Sequence, residues 1–114
     1  METTPLIVYI LGDHALIGNG LRHRLQQKFG SAVQVSTFCD VHHCLKKVDN
    51  LTQVAVVDEY VEGKPADWLG SQFRAINPEV EVLVHDSPGR VLQELSRMLR
   101  QRLVPEAAAV FALV

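Results

Sequence analysis

The sequence predicts a three-layer α/β sandwich around a doubly wound parallel sheet of about five strands. Three observations carry this. Short apolar runs alternate with longer stretches of helical periodicity, in the order β-α-β-α-β-α-β-α. One run, Val54-Ala55-Val56-Val57, is apolar at every position, as a strand covered on both faces must be, and it ends on Asp58. Chain-breaking residues fall at the junctions: Gly12, Gly30, Asp49-Asn50 and Asn77-Pro78. Alternation of this kind implies parallel strands joined by right-handed crossovers.

A chain of 114 residues is expected to form one domain over 1–114, with its core in 6–104 and no linker or repeat. Hydrophobic residues at 47% and charged residues at 21% place it among ordinary globular chains rather than disordered ones. A formal net charge of -2 gives no reason to expect direct nucleic-acid binding or attraction to an anionic membrane. No apolar run approaches the roughly 20 residues that span a bilayer. The start, Met-Glu-Thr-Thr-Pro, lacks the basic region of a secretory signal. Cys39 and Cys44 read as reduced thiols, so the expected compartment is the cytoplasm.

The elements follow in order. Leu6 to Leu11 is a buried strand, opened by Pro5 and broken by Gly12. From Ala15 the period becomes helical, with Leu16, Ile17, Leu21, Leu25 and Phe29 recurring at three-to-four-residue spacing. Gly30 ends that helix as a C′ glycine would. Residues 32–37 alternate with period two and form a more exposed second strand. Asp40 caps a short helix carrying Val41, Cys44, Leu45 and Val48. The central strand runs to Asp58, and residues 59–65 form a polar loop with Gly63 and Pro65. Trp68, Leu69, Phe73 and Ile76 make the stripe of a third helix, stopped by Asn77-Pro78. Val80 to Val84 is a fourth strand ending at His85-Asp86. Ser87-Pro88 is an N-cap followed by proline at the first helical position. The last helix turns Val91, Leu92, Leu95, Met98, Leu99 and Leu103 inward and Arg90, Arg97, Arg100 and Arg102 outward. The apolar run 105–114 is expected to be a fifth strand or an interface segment through which two copies pair.

In a parallel sheet the strand C-termini share one edge, where ligands bind in open α/β folds. That edge collects Asp13 and His14, Asp58 and Glu59, and His85 and Asp86. Clustered carboxylates repel unless a cation or proton intervenes, and a divalent cation resolves this. His14 and His85 beside Asp13 and Asp58 also form a plausible Zn²⁺ or Mn²⁺ donor set. Cys39, His42, His43 and Cys44 form one cluster rather than two separated ligand pairs, and Cys44 lies on an apolar helix face. A structural role is the better reading there. The spacing of Gly12, Gly18 and Gly20 is not that of a dinucleotide loop.

The order of elements and the Asp closing the third strand resemble the receiver domain of bacterial two-component response regulators, a flavodoxin-like fold. Ile10 to Leu21 is similar to that family's first strand, acidic turn and helix start. Val56-Val57-Asp58 is similar to its phosphoacceptor strand, and Gly63 to a loop glycine that often follows. The resemblance covers about residues 6–104. It implies signal transduction in a phosphorelay, with Asp58 as phosphoacceptor, Mg²⁺ held by Asp13 and Asp58, and a sensor histidine kinase or other signalling protein as partner. The departures are specific. Gly12 stands where a second acid is usual, and His85 where a hydroxyl residue is usual, with Ser87 two residues on. No lysine follows Lys64, and no fifth helix follows the last strand. Phosphoryl transfer is mostly positioning and electrostatics, so each missing group counts. The sequence therefore favours an atypical receiver-like module, not an enzyme, acting by protein–protein contact. The alternatives are a working phosphoacceptor at Asp58 and a transition-metal-binding domain.

Overall fold

The computed structural model describes residues 4–112, with the backbone alone for 88 and 102–112. Six strands and four α-helices follow one another: β1 (Leu6–Leu11), α1 (Ala15–Phe29), β2 (Val33–Phe38), α2 (Val41–Lys47), β3 (Val54–Val57), β4 (Tyr60–Val61), β5 (Lys64–Pro65), α3 (Ala66–Ile76), β6 (Glu81–Val84) and α4 (Pro88–Ala112). A single 3₁₀ turn, Gly30–Ala32, joins α1 to β2. The main sheet has four strands in the order β2-β1-β3-β6, all parallel.

β3 lies inside this sheet, and its four residues divide between two cores. Val54 and Val56 join Leu6, Val8, Leu21, Leu25 and Leu95 on the face covered by α1 and α4. Ala55 and Val57 join Leu11, Val41, Cys44, Leu69 and Phe73 on the face covered by α2 and α3. Successive side chains of a strand point to opposite faces, so an all-apolar run needs helices on both sides. The three layers arise from this requirement.

The helices form where capping and periodicity direct them. Asp40 accepts the His43 amide at 2.7 Å and starts α2. α3 ends at Asn77, whose buried side chain donates to the Thr52 carbonyl at 2.7 Å and accepts the Glu79 amide at 3.1 Å. This stitches the end of α3 to the entry of β3.

Three expectations change. Among the described residues the sheet has four strands rather than about five. Residues 105–112 continue α4 instead of forming a fifth strand, and residues 113–114 lie outside the described part. The alanine run favours helix, and topology argues the same way. β1-α1-β2 steps one way across the sheet over one face. The crossovers through α2 and α3 step the other way over the opposite face. A further parallel strand beside β6, joined by the usual right-handed crossover, would need its helix on the α2/α3 face. Val91, Leu95 and Met98 instead seat α4 on the α1 face. Third, the loop 59–65 contains a hairpin. Glu62 (φ 53°) and Gly63 (φ 75°) take the two left-handed positions of its tight turn between β4 and β5.

Candidate functional site at the strand ends

The C-terminal edge of the sheet is built by backbone pairing that continues past the strands. Asp58 donates its amide to Leu11 at 3.2 Å, and His85 donates to Val57 at 2.7 Å. Both residues are thereby held in register at the end of the central strands. His85 Nδ1 lies 3.5 Å from Asp58 Oδ1, with the side chains 10% and 27% exposed. The pair is charged on both sides only when the imidazole is protonated.

Gly12 lies directly under this carboxylate. A Cβ built at Gly12 would come 2.4 Å from Asp58 Oδ2 and 3.0 Å from its Cγ. Any side chain at position 12 therefore displaces the Asp58 carboxyl. Glycine serves here by close approach, not by an unusual backbone angle.

Asp13 is engaged elsewhere. Its Oδ1 accepts the Glu62 amide at 3.0 Å, and Glu62 Oε2 accepts the Val41 amide at 3.3 Å. Asp13 thus anchors the β4–β5 hairpin, and Glu62 ties that hairpin to the start of α2. The left-handed backbone at Glu62 costs on the order of 1 kcal/mol, which these two hydrogen bonds offset. The sequence carried one sign of this arrangement. Gly63 follows the β-prone pair Tyr60-Val61 and readily takes a left-handed turn position, although Lys64-Pro65 after it is not β-prone.

The remaining expected residues are not drawn into one cluster. His14 is exposed at the start of α1 and makes no side-chain capping bond. Asp86 is paired with Arg90 at 2.8 Å. Among the described residues, no group of three or more His, Cys, Asp or Glu side chains is placed to hold a metal ion. This includes Cys39, His42, His43 and Cys44. Cys39 is exposed and Cys44 is buried, and both are free thiols.

Burial pushes the Cys44 thiol up to about 12. The thiolate is the reactive form, so iodoacetamide at about pH 8 is expected to label Cys39 and spare Cys44, as peptide mass mapping would show. The pH dependence follows from the sign of the shift. Below the ordinary value of 9.0 both states hold the proton and the thiol does not oppose folding. As pH rises from there toward about 12, only the unfolded thiol ionises, so stability falls through that window. A Cys44→Ser variant would show a shallower loss.

Among the described residues, no helix is long and apolar enough to cross a membrane. No protein-family profile matches the chain, and a search of curated proteins returns no match.

Proposed function

We propose that the chain is an atypical receiver-like signalling domain of the two-component type, acting in the cytoplasm by protein–protein contact rather than by a phosphorylation switch. Two features support the kinship. The strand order β2-β1-β3-β6 is that of the first four strands of the flavodoxin-like sheet, and Asp58 stands at the carboxyl end of the central strand beside its switch point.

The observation that carries the loss of the switch is the close approach of Asp58 to Gly12. With glycine at position 12 no second acid stands beside Asp58, and the space a Cβ would take is filled by the Asp58 carboxylate. Asp13 Oδ1 accepts the Glu62 amide and Asp58 faces His85, so each carboxylate has a partner other than a shared cation, which supports a reading without a Mg²⁺ switch. On the resemblance, His85 also stands where a hydroxyl residue would contact a phosphoryl oxygen. An acyl phosphate on Asp58 would have little to reorganise, and the coupling to a second conformation would be weak.

The test is phosphorylation by acetyl phosphate in Mg²⁺, followed by intact-mass measurement, with NMR titration by Mg²⁺ and then beryllofluoride. Neither an added phosphoryl mass nor amide shifts around Asp13 and Asp58 are expected. A phosphoryl mass that disappears in Asp58→Asn would establish the alternative, a working phosphoacceptor. Zn²⁺-induced shifts that disappear in His85→Ala would establish the metal-binding alternative.

A further inference from the structure

The outer edge of β6 is the unfinished side of the sheet. Glu81 and His85 donate their amides to Gln53 and Val57, at 2.9 and 2.7 Å. Backbone groups alternate in direction along a strand, so the amides of Val82 and Val84 point away from the sheet. Among the described residues β6 pairs only with β3. Edges are usually guarded by lysine, proline or a bulge. Glu81-Val82-Leu83-Val84 is short and has one charge, Glu81, at its start, but no lysine, proline or bulge along its apolar part, where Val84 is 37% exposed. Shallow grooves flank this edge on both faces. Leu83, Arg90, Val91 and Glu94 line the one beneath α4, and Tyr60, Pro65 and Val84 line the one beside α3. The opposite edge strand, β2, carries Gln34, Ser36 and Thr37 instead of such an apolar row.

The charges bordering this edge are self-complementary. Arg90, Glu94, Arg97 and Gln101 fall three and four residues apart and form one stripe of α4. Laid antiparallel against itself, the stripe sets Glu94 opposite Arg97, Arg97 opposite Glu94, and Arg90 opposite Gln101. No like charges meet. Glu94 and Arg97 already pair within one helix at 3.0 Å, and both are more than one-third exposed. Exchange of partners between copies is therefore open to them.

We propose that β6 is a dimerisation edge whose occupant is a second copy of this chain. A two-fold axis normal to the sheet and passing at Leu83 sets β6 antiparallel to its copy and joins the two sheets into one. Val82 and Val84 of opposing copies then exchange their outward amides and carbonyls, the Val84 carbonyl taking a second donor beside the Asp86 amide that it accepts at 3.1 Å. Leu83 meets its own copy beneath the two α4 helices. On that same face Glu81 stands opposite His85, and on the other face each exposed Val84 is covered by a Val82. The same axis brings the two α4 stripes together in the complementary register.

Sedimentation velocity of the 114-residue chain over a micromolar to millimolar series tests this. A reversible dimer is the expected result. Val84→Pro removes an outward amide and leaves the ladder to β3 intact. It costs two hydrogen bonds per dimer and is expected to raise the dimer Kd about thirtyfold. Glu94→Arg sets Arg against Arg97 and is expected to raise it about tenfold, and adding Arg97→Glu restores it. Circular dichroism checks that each variant is folded. Should Val84→Pro fail to fold, the charge reversal and its rescue decide alone. A monomer at every concentration overturns the proposal. So does a dimer that neither Val84→Pro nor Glu94→Arg weakens, which would move the contact elsewhere, for example to residues 105–114.

Discussion

Phe73→Ala is expected to lower the stability of the domain by about 3–5 kcal/mol. Phe73 is 0% exposed and is among the largest side chains wholly enclosed by the fold. It fills the layer between α3 and the sheet, in one cluster with Leu11, Ala55, Val57, Leu69 and Val80. Truncation removes most of a ring from a site bounded by a strand backbone and a helix, neither of which can close the gap cheaply. Urea unfolding followed by circular dichroism would show a lower midpoint at unchanged slope. Ile76→Ala is the control. Ile76 belongs to the same apolar helical stripe but is 43% exposed, so its loss should stay below about 1 kcal/mol. Equal losses at the two positions would mean that α3 is rotated about its axis from the orientation described.

Leu95→Ala is expected to cost about 2–5 kcal/mol. Leu95 is 0% exposed in the N-terminal half of α4, between Val91 at 1% and Met98 at 7%. These three side chains press α4 onto the face that holds Leu21, Leu25, Val54 and Val56. The measurement therefore tests the topology as well as the packing. The seat of α4 on the α1 face is what leaves β6 at the edge of the sheet. A loss below about 1 kcal/mol at Leu95 would mean that α4 does not rest there. A further strand could then pair with β6, and the open edge on which the proposed dimer is built would be lost.

Much of this architecture is legible in the residues themselves. The run Val54 to Val57 requires cover on both faces, and each face has its helices. Asp40 caps α2, and Asn77-Pro78 stops α3. Periodicity was less informative at helix ends. Leu16 and Ile17 share the apolar spacing of α1 but are 87% and 50% exposed. At 100° per residue Leu16 lies about 140° from Leu21, off the buried face. Ile17 lies near that face but in the first turn, where the cover is incomplete. Trp68, at 38%, shows the same divergence on α3.

The strand-end site was legible in membership and not in wiring. A parallel sheet brings Asp13, Asp58 and His85 to one edge, which is a consequence of topology alone. Which groups meet there is a matter of ångströms. Gly12 lets the Asp58 carboxylate settle over the backbone, His85 turns toward it, and the Glu62 amide takes Asp13. That last contact joins residues 49 positions apart in the sequence, so no local pattern encodes it.

By itself, then, the sequence determined the alternation of the four main strands with their helices, the burial of β3 and the edge on which the acids gather. Each of these follows from short-range periodicity and from the two-sidedness of a strand. Only the tertiary structure decided the number of strands, the face on which α4 lies and the partner of each acid. These depend on crossover hand, on helix rotation and on close contacts between distant segments, where a shift of one side chain changes which group is satisfied.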